Sequence, residues 1–226
     1  VYTVIPNQFK FKSIKQEYIL NQFEGQLDTG HMMEALILKA QSKGIKILNN
    51  TIVKSFSETN DFVEVHTNLL DFKTNKLCIA TNGFAKMLLK EQVKPARAQV
   101  LITTPIKNLQ IKGAFHLDRG YYYFRNINNR ILFGGGRHLD FIEEETTEMS
   151  QTELIQNSLE NLLKTTILPN NSFEIEHRWS GIMGIGNQKK PIVKQLGHNV
   201  YCGVRLGGMG VAIGSSVGID LANLLE

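Results

Sequence analysis

Residues 200–225, VYCGVRLGGMGVAIGSSVGIDLANLL, contain the most informative pattern in this sequence. The stretch begins as a short apolar strand, passes through a glycine-rich turn at residues 207–210 and continues with the apolar spacing of a helix. A helix that begins directly after such a turn has free backbone N–H groups, and its dipole favours a negatively charged or electron-rich ligand. Glycine lets that ligand approach the main chain closely. The pattern is equally typical of tight packing between a strand and a helix without a ligand, and it is not the GxGxxG fingerprint.

A second turn, Ala80-Thr81-Asn82-Gly83, follows an apolar strand predicted at residues 76–80. Open α/β sheets bind ligands at the carboxyl ends of their strands, so this turn is a weaker candidate for the same kind of site. An ordinary turn at the end of a strand has the same composition.

The chain before and between these turns predicts a mixture of helices and strands. Asp28 has the character of an N-cap for a helix that ends at Gly44, and Ser150 with Glu153 forms a capping-box pattern for a second helix. Strands are predicted by alternation or by apolar runs. They lie at residues 45–48, 52–56, 62–66, 98–104, 173–179 and 200–203, with a hairpin formed by residues 121–125 and 130–133.

Composition excludes several classes of protein. Of 226 residues, 42% are hydrophobic and 20% charged, which predicts a folded core, and no apolar run approaches the roughly 20 residues of a membrane-spanning helix. The net charge of +4 comes from scattered lysines, so we expect neither nucleic acid nor an integral membrane as a partner. Cys78 and Cys202 are too few for a disulfide framework and have no metal-binding spacing, so we expect buried free thiols and a cytoplasmic protein.

Seven motifs, taken together in chain order, resemble the FAD-dependent D-amino-acid oxidase superfamily, in the branch that contains glycine, sarcosine and γ-glutamylputrescine oxidases. The resemblance covers nearly the whole chain. Its motifs are Glu24-Gly25-Gln26-Leu27-Asp28, Gly44-Ile45-Lys46-Ile47-Leu48, Ala80-Thr81-Asn82-Gly83, Tyr123-Phe124-Arg125, Ile131-Leu132-Phe133-Gly134-Gly135-Gly136-Arg137, Trp179-Ser180-Gly181 and Gly207-Gly208-Met209-Gly210.

The resemblance implies an α+β fold: a mixed, largely antiparallel sheet flanked by helices, as in the family's substrate domain, beside an incomplete FAD-binding α/β layer. The strand, GxGxxG turn and helix that open family members are missing, and the chain begins with Val1. We therefore expect the C-terminal three-fifths of a family member, with an exposed apolar patch and a tendency to form a homodimer. Residues 1–23 and 93–180 would belong to the substrate domain, and residues 24–92 and 181–226 to the FAD-binding domain.

The same resemblance assigns roles to individual residues. Three residues are candidates for the catalytic and substrate-binding group: Arg205, Tyr123 and Arg125. The candidates for binding FAD are Val53, Thr81, Asn82, Gly83, Gly207, Gly208, Met209, Gly210 and Val211, and no metal site is expected. Where amino-acid-oxidising relatives place an arginine for the substrate carboxylate, this chain has Met183 or a close neighbour, which argues against a simple α-amino acid.

The implied function is an FAD-dependent oxidoreductase that oxidises a C–N bond of a small amine or amino acid by hydride transfer to flavin. The resulting imine would be hydrolysed, and oxygen or another acceptor would reoxidise the flavin. As a fragment, the chain can be inactive. The alternative is a catalytically silent α+β domain that binds a small ligand or a partner chain.

Overall fold

The computed structural model describes residues 1–226 and contains two compact units, each assembled from separate segments of the chain. The first unit consists of Val1–Asp28, Arg97–Glu144 and Glu148–Gly181, and the second of Thr29–Ala96, Glu145–Thr147 and Ile182–Glu226. The assignment of residues 1–23, 24–92, 93–180 and 181–226 to substrate and FAD-binding domains stays a prediction.

The first unit is built on an antiparallel sheet of five strands, in the order β11-β7-β10-β9-β8. The unit also contains a separate hairpin of β1 with β2, one α-helix, α2, and three short helical segments, Asp118–Gly120, Arg137–Leu139 and Leu163–Ile167. The elements are β1 (Tyr2–Pro6), β2 (Glu17–Asn21), β7 (Lys94–Thr103), β8 (Ala114–Leu117), β9 (Tyr122–Ile127), β10 (Arg130–Gly135), α2 (Glu153–Leu162) and β11 (Ile175–Ile185). The first residues of β7 and the last four of β11 belong to the second unit.

One face of this sheet forms the core of the first unit. Because side chains alternate along a strand, Tyr122 and Phe124 of β9 point to the same face, and both are buried. They belong to one apolar cluster with Ile155 and Leu159 of α2, and the Tyr122 hydroxyl lies 2.9 Å from Ser158 Oγ on that helix. The opposite face of β9 therefore carries Tyr123.

The predicted hairpin is confirmed, with a tighter turn than the sequence suggested. Strands β9 and β10 pair from Arg130 with Ile127 onward, so that only Asn128 and Asn129 connect them. Both asparagines have left-handed backbone, with φ of 46° and 58°. Two consecutive left-handed residues match the right-handed twist of a hairpin, and asparagine tolerates this conformation better than most residues.

The second unit contains two three-stranded sheets and two helices of 14 residues each. In the sheet β12-β13-β6, the central strand is buried throughout and pairs in parallel with β6. The other sheet, β3-β4-β5, is an antiparallel meander. The elements are α1 (Thr29–Ser42), β3 (Val53–Glu58), β4 (Val63–Thr67), β5 (Asp71–Thr74), β6 (Leu77–Ile79), a 3₁₀ helix (Asn82–Met87), β12 (Ile192–Gln195), β13 (Val200–Val204) and α3 (Gly210–Asn223). None of the helices has the length and apolar character needed to cross a membrane.

Helix α1 has no buried residue, although its sequence contains a full set of apolar side chains. Leu36 and Leu38 are more than half exposed. The predicted strand at residues 45–48 is wrong: the segment is irregular, and Ile45 and Leu48 are exposed. The apolar run is typical of a buried parallel strand, but a strand forms only where a neighbour completes its hydrogen bonds. Helix α1 and the segment that follows it therefore expose apolar side chains, and the expected apolar patch stays a prediction.

Two other local predictions are corrected by the structure. The capping box is wrong, because α2 begins after Thr152 and the Ser150 hydroxyl instead accepts a hydrogen bond from Arg97 Nη1 at 2.5 Å. Both cysteines are free thiols, but Cys78 is exposed and only Cys202 is buried. Burial raises the pKa of the Cys202 thiol above its ordinary value.

Candidate functional site

The glycine-rich loop between β13 and α3 has the backbone conformation that its sequence predicts. Gly207 and Gly208 have φ of 60° and 82°, in the left-handed region that favours glycine. A side chain at Gly207 would have open space around it, since no heavy atom lies within 4 Å of the position of a Cβ there. A ligand could therefore approach the main chain of the loop at Gly207, from the side where a side chain would otherwise lie.

The start of α3 presents three backbone N–H groups that donate to no carbonyl oxygen. These belong to Gly208, Gly210 and Val211, whereas Gly207 N donates to Gly184 O at 2.9 Å and Met209 N to Leu206 O at 2.9 Å. No side chain caps the helix. The unpaired amides and the positive end of the helix dipole together favour an electron-rich group.

The turn at residues 81–83 packs directly against this loop. Asn82 Oδ1 accepts a hydrogen bond from Leu206 N at 3.0 Å. Gly83 is buried, and a Cβ there would lie 2.6 Å from Met183 O, so only glycine fits so close to the end of β11. Thr81 is exposed and its hydroxyl caps nothing. The structure thus brings Asn82 and Gly83, two of the predicted cofactor residues, to the base of the glycine loop.

Met183 lies beside the glycine loop in the second unit. Its Sδ is 3.4 Å from the position that a Cβ on Gly208 would occupy, and its side chain is half-buried. The thioether presents no positive charge, so this position offers a soft apolar contact rather than a partner for a carboxylate.

Arg205 is nine-tenths buried, and its guanidinium is engaged by the main chain. Nε donates to Lys190 O at 2.9 Å and Nη1 to Gln92 O at 3.2 Å. Its backbone is left-handed, with φ of 65°. A buried guanidinium needs hydrogen-bond acceptors, and here carbonyl oxygens supply them. The geometry favours a role in holding the loop, and the role in catalysis stays a prediction.

Tyr123 and Arg125 lie in the first unit, on the face of β9 that points away from α2. The Tyr123 ring covers Gly134, where a Cβ would lie 2.9 Å from the ring, and burial raises the pKa of its hydroxyl. Arg125 Nη1 donates to Leu27 O at 2.8 Å. Val53, the predicted adenine contact, opens β3 in the second unit and pairs with Thr67 ahead of a bulge.

The structure adds one residue to the site that sequence reasoning did not single out. Gly184 is buried, and its carbonyl oxygen accepts the hydrogen bond from Gly207 N. A Cβ at this position would lie 2.5 Å from Asn82 Oδ1 and would clash with it. The glycine-rich run Gly181-Ile182-Met183-Gly184-Ile185-Gly186 was the available signal. No group of three or more His, Cys, Asp or Glu side chains in residues 1–226 is arranged to hold a metal ion.

Comparison with solved structures shows the fold. L-proline dehydrogenase from P. horikoshii is 23% identical with a TM-score of 0.75, the match covering 93% of this chain and 58% of that one. Glycine oxidase from Bacillus cereus ATCC 14579 is 16% identical with a TM-score of 0.79, covering 99% and 64%. L-amino acid deaminase from Proteus vulgaris is 12% identical with a TM-score of 0.77, covering 99% and 66%. The chain thus spans about three-fifths of these structures, and the predicted α+β fold is confirmed.

Comparison of the sequence itself identifies the family. Comparison with curated proteins gave no match. The sequence profile described as DAO, FAD dependent oxidoreductase, matches residues 12–224, which include most of both units and every predicted site residue. The family predicted from the seven motifs is therefore confirmed, and with it FAD as the family's cofactor. The chain belongs to the DAO family of FAD-dependent oxidoreductases.

Proposed function

We propose that this chain is the C-terminal part of a flavoenzyme that oxidises a C–N bond of a small amine or amino acid. The observation that carries the proposal is the row of unpaired amides at Gly208, Gly210 and Val211. They are presented by a loop that has open space at Gly207. These features fit the electron-rich edge of a flavin ring, because backbone N–H groups and a helix N-terminus both stabilise negative charge.

The family's cofactor gives the chain's own residues their proposed tasks. When bound, FAD accepts a hydride from the carbon that carries the substrate nitrogen, and the protein supplies position and electrostatic field. Residues 207–211 hold the ring edge, and the helix dipole of α3 stabilises charge that develops there. The backbone of Val53 meets the adenine, and the turn formed by Thr81, Asn82 and Gly83 supports the loop.

On the substrate side, we propose Tyr123 and Arg125 as the residues that face the reacting molecule. The tyrosine hydroxyl keeps its proton because burial raises its pKa, so it serves as a hydrogen-bond donor or an aromatic wall for an amine. Met183 offers no charge for a carboxylate, and the Arg125 guanidinium already donates to Leu27 O at 2.8 Å. An amine, or an amino acid whose carboxylate is bound elsewhere, therefore fits better than a simple α-amino acid.

The exposed apolar surface of the second unit supports the view that further polypeptide completes it. Helix α1 buries none of its residues, and Ile45 and Leu48 are exposed in a segment whose pattern predicts a buried strand. A preceding segment with the GxGxxG turn would pair with this segment, cover α1 and hold the ADP half of FAD. The match to only about three-fifths of each similar structure agrees with this proposal.

The test compares this chain alone with a longer protein that includes the polypeptide encoded upstream of it. Both are purified, and their visible spectra are recorded with and without added FAD. We expect flavin absorption bands in the longer protein. Gly207→Asp would place a carboxylate beside the unpaired amides and lower FAD affinity at least about tenfold. Two variants serve as controls: Gly207→Asn, of the same size and left-handed tolerance without charge, and Gly218→Asp, since position 218 also has open space. A longer protein that stays colourless and binds no FAD would overturn the proposal.

The exposed apolar surface also favours the second candidate, a catalytically silent domain that binds a partner chain, including a second copy of itself. Sedimentation velocity of the isolated chain decides this point. We expect a dimer that dissociates when Met33→Lys and Leu36→Lys are introduced, since these exposed residues lie three positions apart on one face of α1. If the longer protein binds no FAD while the isolated chain dimerises through α1, the second candidate holds.

A cytoplasmic location is proposed from the thiols. Cys78 is exposed and unpaired, and such a thiol persists in a reducing compartment. The test treats intact and lysed cells with a membrane-impermeant maleimide. Reaction of Cys78 in lysed cells alone would support this location, and its reaction in intact cells would exclude it.

A further inference from the structure

Asn82 has an unusual position among the residues of the second unit. Its backbone is left-handed, with φ of 47°, at the first residue of the 3₁₀ helix Asn82–Met87. Its side chain does not cap that helix but reaches a residue 124 positions away, where Oδ1 accepts the hydrogen bond from Leu206 N at 3.0 Å. Asparagine adopts left-handed backbone at a lower free-energy cost than most residues do. A strained conformation of this kind nevertheless persists only where the surrounding structure holds it in place.

A second hydrogen bond fixes the adjacent amide of the loop. Gly207 N donates to Gly184 O at 2.9 Å, and Gly184 itself packs so closely on Asn82 that its missing Cβ would lie 2.5 Å from Oδ1. Two consecutive loop amides are therefore bound to two neighbouring acceptors. The next amides, at Gly208, Gly210 and Val211, are the ones left without partners.

We propose that Asn82 is a positioning residue that orients the free amides of the glycine loop toward the electron-rich edge of the flavin. This inference rests on the proposed function. Its Oδ1 accepts from Leu206 N, so Asn82 acts on the ring through the loop. It is also neutral, so it holds the loop without adding negative charge where charge develops during reduction.

Substitutions separate the two properties of this side chain. Asn82→Gly keeps the left-handed backbone and removes the acceptor, whereas Asn82→Asp keeps the acceptor and adds a charge. The matched control is Asn108→Gly, since Asn108 is an exposed asparagine with φ of 57°. This control introduces glycine into left-handed backbone but leaves the hydrogen bond between Asn82 and the glycine loop intact.

The first measurement is residue-resolved amide hydrogen exchange by NMR, which needs no flavin. In Asn82→Gly we expect exchange at Leu206 and Gly207 to be about fivefold faster or more, with Leu221 unchanged. In Asn82→Asp and Asn108→Gly, Leu206 should exchange as in the wild type. Unchanged exchange in Asn82→Gly, or an equal increase at every amide, would overturn the positioning role.

The second measurement is FAD binding, followed by quenching of flavin fluorescence in the longer protein that includes the upstream region. Asn82→Gly should weaken binding about fivefold. Asn82→Asp should bind oxidised FAD nearly normally and lower its reduction potential, a shift that a purely structural role would not produce. If the wild type binds no FAD, the proposed function fails whatever the exchange data show. If the wild type and Asn82→Gly bind FAD equally, the positioning role fails and the proposed function stands.

Discussion

Replacing Glu144 with glutamine tests the main electrostatic contact inside the first unit. The Glu144 side chain is fully buried and that of Arg97 is 2% exposed. Arg97 donates to the carboxylate twice, from Nη2 at 2.7 Å and from Nε at 3.0 Å, and Gln99 Nε2 donates at 2.8 Å. Glutamine has one acceptor oxygen and an NH₂ group, so at least one of these donors would face another donor.

The expected loss of stability is large because Arg97 would remain charged and buried, with only the exposed Glu143 carboxylate, 3.7 Å from Nη2, to balance its charge. Breaking a buried ion pair by removing one member costs about 3–5 kcal/mol, a large part of the about 5–15 kcal/mol that stabilises a typical protein. For a chain of this size, each kcal/mol lowers the melting temperature by about 2–4 °C, so we expect a decrease of about 6–20 °C. Replacing both partners, as Arg97→Met with Glu144→Leu, should recover most of that loss.

The assay is urea unfolding followed by fluorescence of Trp179, the single tryptophan, and by far-UV circular dichroism. The matched control is the next residue, Glu145→Gln. Its ion pair with Lys94 has a similar length of 2.9 Å, but the two side chains are 44% and 54% exposed, so we expect at most about 1 kcal/mol. Equal, small effects of Glu144→Gln and Glu145→Gln would refute the view that burial sets the strength of this contact.

Three further outcomes follow from the structure. His66 Nδ1 lies 3.0 Å from Asp71 Oδ2, which raises the pKa of the histidine above 6.5 and lowers that of the aspartate below 3.8. The pair is therefore complete between about pH 4 and 6.5, lost at higher pH as His66 deprotonates and at lower pH as Asp71 is protonated. An NMR titration of His66 checks this, and in Asp71→Asn the pKa of His66 should return toward 6.5. Gly135→Ala should be destabilising by about 1–3 kcal/mol in urea unfolding, because its φ is 118° and a Cβ would meet a backbone carbonyl oxygen just before β9. A thiol reagent should modify Cys78 in the folded protein and Cys202 only after denaturation, since Cys202 is fully buried, and rapid modification of both would contradict the structure.

Local patterns in the sequence predicted much of the fold and the centre of the site. The hairpin at β9 and β10, the helix that ends before Gly44 and the helix after the glycine loop all depend on neighbours in the chain. Gly44 has φ of 81°, and Ile45 N bonds back to Ala40 O at 3.2 Å, as a glycine at the end of a helix predicts. The family followed from the order of motifs, which no single motif could provide.

Other predictions were wrong or absent because distant residues compete for the same atoms. Ser150 could have capped α2, but its hydroxyl is bound by Arg97, which a local pattern cannot show. Likewise, Asn82 is a turn residue by its local sequence, and only the fold brings it to Leu206.

Strands β5, β8 and β12 have four residues each, too few for a clear alternation.

The parallel pairing of β6 with β13 has a consequence for how the protein is made. Strand β6 ends at Ile79 and its partner begins at Val200, so a ribosome must add about 120 further residues before the two can join. At about 5–20 residues per second, the nascent chain spends about 6–24 s with this strand edge bare. Chaperone dependence and aggregation during synthesis should therefore depend on translation speed between these two strands, a stretch where slow codons would prolong the vulnerable interval.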